Sequence, residues 1–345
     1  MIPPRHLADP VAKHPLTPST DGLAAADGQL YPPLGGGWDL RPRAPGVTLD
    51  DANKSLQADI YDARLGEMSD FDHPHNLMLV HQKRLLEALP LAPGDRVLEV
   101  GGHRSGLLAW LERTRRIAGS GLDISPYWVV AQNRAARARG SDTVWVLGDA
   151  EALPYASGTF KAMVAFDVFE HLTHLDRGLS EAFRVLQPGG RLVIHMPVQD
   201  IGGSFDGYQR WKDAADYAAR QASVGHFHER MPTRQQMRTR MEGEGFQVLD
   251  MESFNVWIQP LHDHRFLPAL GRLKHARASR GPAADPPAFG AGGQAPPQRP
   301  PATSAFTRVY AKTVVPLASA FAAVDRVGSL LGIGGSCSFV AVKPA

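Results

Sequence analysis

The chain has 345 residues, 43% of them hydrophobic, which is enough to bury one large core with or without appendages. Its 37 basic and 35 acidic residues nearly cancel and no long basic run occurs, so a surface that tracks nucleic-acid phosphates is not expected. A single cysteine, Cys337, excludes an internal disulfide and any site built from several thiolates. The first residues hold no apolar signal-like stretch, and the apolar stretch 314–324 is cut by Pro316 and stopped by Asp325; the expectation is a cytoplasmic protein without stable membrane insertion.

Residues 1–50 are rich in Pro, Gly, Ala and Asp without a sustained period, and read as an N-terminal arm whose one large anchor is Trp38. Apolar positions between Asp59 and Leu89 predict a helical cap over 51–94, interrupted at Pro74. An alternation follows: strand from Arg96 to Val100, helix from Leu107 to Arg116, strand from Gly119 to Ile124, helix from Pro126 to Arg139, strand from Thr143 to Leu147. It continues with a strand from Lys161 to Phe166, a helix from about Leu179 to Leu186 and a strand from Gly190 to Met196. Such alternation predicts an α/β, doubly wound fold with a mostly parallel sheet covered on both faces. The core then spans 95–260, with a cap insertion near 200–230, a helix opened by Thr233 and a strand from Gly245 to Leu249. Seven prolines and four glycines in 281–303 predict a flexible linker, after which 304–345 supply a helix and the last strand. The apolar positions 317, 321, 324, 327, 330 and 331 fall on one helical face, expected to pack on the main domain.

Val97-Leu98-Glu99-Val100-Gly101-Gly102 is an apolar strand that ends in glycines, where backbone can approach a ligand closely, and Asp123 ends the next strand, where an acid can hold ribose hydroxyls. With Gly148-Asp149-Ala150, Phe166-Asp167-Val168-Phe169-Glu170-His171 and Gln187-Pro188-Gly189-Gly190, this ordered series resembles class I S-adenosylmethionine-dependent methyltransferases over about 95–255. The resemblance implies a Rossmann-like, seven-stranded sheet and S-adenosyl-L-methionine as cofactor. It places Glu99, Gly101, Gly102 and His103 at the loop under the amino-acid part of that cofactor, and Asp123 at its ribose. Ile124, Asp149 and Ala150 fall at the adenine, with Phe166 and Asp167 beside the reactive sulfonium. His103 and Ser105 stand where the family usually carries further glycines.

Methyl transfer to a hydroxyl needs an aligned acceptor and a base, and histidine accepts protons near neutral pH. His171 and His226 are the candidate bases, with Glu170 orienting them or binding the acceptor; Tyr208, Trp211 and His228 are candidate acceptor contacts. Asp167, Glu170, His171 and a later His226 or His228 also resemble the ligand set of metal-assisted O-methyltransferases. That resemblance implies a divalent metal beside the cofactor, while metal-free relatives carry similar acid–histidine pairs. The expected function is O-methylation of a hydroxylated metabolite or sugar-containing natural product. Alternatives are C-methylation of a quinone or lipid, and a non-catalytic scaffold that kept the fold. The expected partner is a small-molecule acceptor, with a homo-oligomer left open and no nucleic acid.

Overall fold

The computed structural model describes residues 5–42, 54, 58–59, 69–103, 105–223, 225–226, 231–266 and 305–345. The expected linker 281–303 and the expected contact His228 lie outside them.

Strands β1 to β5 are short pieces between Thr17 and Trp38. The main sheet uses β6 (Arg96–Val100), β7 (Ala118–Asp123), β8 (Val144–Leu147), β9 (Phe160–Phe166), β10 (Leu186–Pro197), β11 (Gln247–Phe254) and β12 (Ser336–Val342). Their order is β11-β12-β10-β9-β6-β7-β8, and β12 runs antiparallel to both of its neighbours while the other described pairs are parallel. The mostly parallel seven-stranded sheet is therefore as expected. Central strands such as β6 are buried on both faces, which is why they read as unbroken apolar runs. Leu98, Met163, Ile194 and Phe339 pack on one face with Met237 and Met241. On the other face Val97, Val164 and Val193 pack with Leu107 and Leu111.

Local chemistry fixes the helices between these strands. Pro126–Ala138 starts at Ser125, whose hydroxyl accepts from the Trp128 N–H, with proline in the first turn. Arg234–Gly243 opens with a capping box made by Thr233 and Gln236. Leu77–Glu87 is capped by Asn76 and by Asp263, whose carboxylate accepts from the Leu77 and Met78 N–H groups. His262, next to Asp263, is buried and bonded to the Tyr310 hydroxyl.

Two expectations are corrected. Residues 5–42 are not a loose arm, because Leu7, Leu23, Tyr31, Trp38 and Leu40 are all buried in the main core cluster. Leu40 N–H donates to Leu147 O at 2.8 Å and Asp39 bridges Leu147 in parallel, so this segment covers the edge strand β8. The apolar residues are too sparse for a period, yet each docks on a surface that the sheet provides. The C-terminal helix also turns the other way. In Ala305–Ala322, which runs through Pro316, the buried residues are Tyr310, Ala311 and Val315, whereas Leu317 and Phe321, with Val324, Val327, Leu330 and Leu331 beyond it, are exposed. Both faces are apolar, so periodicity alone could not choose between them. Among the described residues no helix is long and apolar enough to cross a membrane.

Leu40→Ala should lower unfolding free energy by about 2–5 kcal/mol, the range for a fully buried leucine, read as a shifted midpoint in urea titration. A midpoint equal to that of the parent would show that residues 5–42 are detached in solution.

Candidate active site

Chain connections leave β6 in opposite directions on its two sides, toward β7 and β8 on one and toward β9 and β10 on the other, so a crevice opens over the strand ends. It is a cavity of about 780 Å³, a size that accommodates ligands of drug-like dimensions. Gly101, at the end of β6, has φ +77°, and a side chain there would come within 2.2 Å of Val168. Its N–H donates to Leu122 O at 2.9 Å. The following loop is held from behind by Gln132, whose amide nitrogen reaches the carbonyls of Gly102 (2.7 Å), His103 (3.1 Å) and Ser105 (2.8 Å). His103 lines the cavity with its ring edge-to-face with Trp128, and Ser105 turns its hydroxyl to the Leu107 N–H. The two residues in place of glycines are thus absorbed by the loop.

Asp123 and Asp149 end β7 and follow β8, and both line the cavity. Asp123 accepts from the His103 N–H at 2.9 Å and the Ser125 N–H at 2.8 Å, which fixes its carboxylate across the loop. Asp149 accepts from the Glu151 N–H, and its other oxygen meets Lys54 Nζ at 2.7 Å. Lys54 also lies 3.3 Å from Glu151 and lines the cavity. All three are buried, so one cation balances two carboxylates removed from water. Glu151 is held below its usual range by hydrogen bonds from His174, the charge of Lys54 and the Thr173 N–H, which outweigh burial.

The other wall is made by the turn after β9. Asp167 adopts φ +55°, its N–H donates to His195 O at 2.8 Å, and its side chain is 44% accessible from the cavity. A short turn, Phe169–His171, follows. His171 Nδ1 donates to Gly225 O at 3.2 Å, and His226 Nδ1 donates to Gln221 Oε1 at 3.0 Å. In the neutral rings those bonds direct both Nε2 atoms to Glu170, at 3.8 and 3.6 Å from its Oε1. Glu170 itself is closed off from solvent and neither oxygen has a hydrogen-bond partner. Burial, reinforced by Asp167, pushes its carboxyl well above the ordinary carboxylate range, and burial pushes Asp167 up as well. One ligand atom from each of Glu170, His171 and His226 lies within 4.8 Å of the others, so the cluster can share a proton or hold a divalent cation.

Of the residues singled out in the sequence, Gly101, His103, Asp123, Ile124, Asp149, Ala150, Phe166, Asp167, His171 and His226 line the cavity. Glu99, Gly102 and Glu170 do not: the first two are packed behind the loop, where a side chain at 102 would strike the Trp145 ring, and Glu170 is shut away from solvent beside the His171 and His226 rings. Tyr208 and Trp211 are also displaced, because the helix Phe205–Lys212 turns Phe205 and Gln209 to the cavity, four residues apart, and leaves Trp211 82% exposed. Tyr217 does line it. Neither Lys54, which lies in a stretch without periodicity, nor Gln132, a polar residue on the buried face of its helix, is marked by a sequence pattern.

Two tests follow from these buried charges. Lys54→Met should leave both carboxylates uncompensated and cost about 3–5 kcal/mol in denaturant unfolding; a cost below one kcal/mol would place Lys54 in solvent. Glu99 is pushed up to about 8, first by burial, against hydrogen bonds from Ser105 and the Leu108 N–H. Between its unfolded value of 4.5 and about 8 the unfolded chain loses this proton and the folded one keeps it, so this group makes stability fall as pH rises through that window. Glu99→Gln should flatten that part of the profile, as followed by melting temperature against pH.

Residues 98–194 match the family described as "Methyltransferase domain". The chain is 34% identical over 113 residues to the ubiquinone/menaquinone biosynthesis C-methyltransferase UbiE of Cereibacter sphaeroides, covering 32% of this chain and 45% of that one. It is 33% identical over 143 residues to the mitochondrial 2-methoxy-6-polyprenyl-1,4-benzoquinol methylase of Rattus norvegicus, covering 38% and 43%. The chain spans about half the length of these relatives. The fold is also that of geranyl diphosphate C-methyltransferase from Streptomyces coelicolor, solved with Mg2+, geranyl diphosphate and S-adenosyl-L-homocysteine, at TM-score 0.51 and 14% identity over 85% of this chain and 99% of that one. Phosphoethanolamine N-methyltransferase 2 of Haemonchus contortus superposes at TM-score 0.51 and 14% identity, over 77% and 53%. Residues 98–194 thus match a methyltransferase-domain family, and the glycine loop, the two strand-end acids and the sheet order are those that the resemblance to class I S-adenosylmethionine-dependent methyltransferases implies.

Proposed function

We propose that the protein methylates a small hydroxylated ring of the quinol class at carbon, with S-adenosylmethionine as methyl donor. The observation that carries this reading is the Glu170–His171–His226 cluster, whose two histidines line the same cavity as Asp123 and Asp149. The similar relatives are named as quinone C-methyltransferases, which favours the alternative named with the sequence reading over O-methylation of a sugar-containing product. The donor set fits the cofactor: fixed carboxylates at Asp123 and Asp149 suit ribose hydroxyls and an adenine amino group, and Ile124 and Ala150 give apolar surface between them. When bound, S-adenosylmethionine supplies an electrophilic methyl group.

The chain's own residues would prepare the acceptor. His226 Nε2 is the better-placed base, since its side chain is 19% accessible against 8% for His171 and both line the cavity. Taking the hydroxyl proton of a hydroquinone-type ring moves negative charge onto ring carbons ortho and para to the oxygen. The cluster therefore serves carbon as well as oxygen methylation, and the acceptor's orientation decides between them. Glu170 Oε1 lies 3.6 Å from His226 Nε2, so the imidazole that takes the proton faces a polar carboxyl. Loss of the proton from the methylated ring carbon restores aromaticity. Met78, Leu172, Phe205, Tyr217 and Met231 line the cavity and suit a flat apolar ring.

A metal-assisted reading has its own support in the spacing of the three ligand atoms. In it, the cation would replace the shared proton and lower the pKa of the hydroxyl directly.

Calorimetry should show binding of S-adenosylmethionine, and incubation with a demethylated hydroquinone should give a ring C-methyl product identified by NMR. No cofactor binding sinks the enzyme reading; an O-methyl product sinks the carbon assignment alone. His226→Ala should reduce kcat by about 10²–10⁴-fold with cofactor affinity kept, the usual size of a general-base contribution. Turnover unchanged by exhaustive chelation removes the metal; turnover lost and restored by Mg2+, Mn2+ or Zn2+ removes the proton-sharing version.

A further inference from the structure

A second polar row crosses the sheet outside the cavity. In the strand register His195 on β10 faces Ser338 on β12, and Ser338 faces Glu252 on β11. The helix Leu77–Glu87 lies over this row and presents His81 and Arg84, three residues apart, to it. His81, His195 and Ser338 are buried, and His81 stacks on Phe254 with ring centroids 4.1 Å apart. Arg84, half exposed, pairs with Glu252 at the outer end. At the inner end, His195 Nε2 lies 3.9 Å from Asp167 Oδ1 and has no hydrogen-bond partner.

The contacts fix where each proton sits. Arg84 Nη2 is 3.2 Å from His81 Nδ1, and a guanidinium can only donate, so His81 Nδ1 accepts. A neutral His81 then carries its hydrogen on Nε2 and donates to Ser338 Oγ at 2.7 Å. The Ser338 hydroxyl hydrogen then has His195 Nδ1, at 2.8 Å, as its acceptor. His195 is left with its hydrogen on Nε2. Burial keeps both rings neutral: His81 is pushed down to about 2, with help from His195 and Arg84, and His195 to about 4.

We propose that this row is a tautomer-setting device, in which Arg84, acting through His81 and Ser338, holds His195 as a fixed Nε2–H donor aimed at Asp167, making His195 a positioning residue for the carboxylate in the cavity wall. The opposite tautomer would turn a lone pair on that carboxylate and push it away. The gap of 3.9 Å is one that a small turn of Asp167 or a single bridging water closes. Asp167 is otherwise anchored through its backbone, whose N–H donates to His195 O, so the same residue holds its main chain and orients its side chain. Arg84 accepts no proton, so the row orients His195 and does not conduct protons to the surface.

The test is long-range 1H–15N correlation of the histidine rings in the full chain at neutral pH, without ligand, which makes it independent of the proposed reaction. His81 and His195 should both show the Nε2–H pattern. Arg84→Met, a change at a half-exposed position, should give His195 a mixed pattern, and Arg84→Lys, which keeps a donor, should restore it. Ser338→Ala should mix the His195 pattern while folding is checked by circular dichroism. The Asp167 13Cγ resonance at fixed pH should move with the His195 pattern across these variants. An Nδ1–H His195 in the parent, or a His195 pattern indifferent to both Arg84→Met and Ser338→Ala, overturns the device. An Asp167 resonance that stays put while His195 changes overturns the positioning role.

Discussion

The crevice over β6 and β9 is the constraint on which the rest of the molecule depends. Right-handed crossovers lead away from β6 on both sides, so the loops at the strand ends part there and leave the main-chain N–H groups and strand-end acids facing a common space. Asp123 and Asp149 arrive on one side of that space and Asp167 and His171 on the other because their strands are neighbours in the sheet, with no need for proximity in the chain. Covering this space means burying charge, and each buried charge is met by a specific partner. Lys54 answers Asp149 and Glu151, backbone N–H groups answer Asp123, and two imidazoles flank Glu170. Glu170 is the least satisfied of them, with no hydrogen-bond partner for either oxygen.

Stability and chemistry meet in the same elements. Residues 5–42 add no cavity contact, yet they pack against the strands whose ends carry the acids and pair with the edge of β8. The antiparallel strand β12 does more than complete the sheet. Set between β10 and β11, it brings Ser338 between His195 and His81 and so links the cavity wall to the sheet's far edge.

The parts of the fold written in short-range pattern were legible. β6 begins and ends where its apolar run and Gly101 put it, and the helix Arg234–Gly243 begins at its Thr233 cap. The pairing of Glu170-His171 with His226 across 55 positions was legible only through the order of the motifs, and the structure brings the three within 4.8 Å. Tyr208 and Trp211 were misread because a helix of eight residues offers several faces and polarity did not say which would be inward. His195 left one sign, a lone imidazole inside the apolar run Leu192–Met196, with nothing to say what it would meet. The exposed apolar residues of Ala305–Ala322 and beyond were given the wrong side because the helix carries apolar residues on more than one face.

By itself the sequence determined the alternation of strands and helices, the glycine turn at Gly101 and the acids at the ends of β7 and β8. Each of these depends on neighbours within a few residues, through hydrogen-bond geometry, capping and the period of burial. Only the tertiary structure decided that Lys54 would neutralise Asp149 across 95 positions, that Gln132 would pin the glycine loop, and that Arg84 would set the proton of His195. Those contacts exist because strand order and register bring distant segments together, and burial then favours arrangements in which most of the polar groups they carry find a partner.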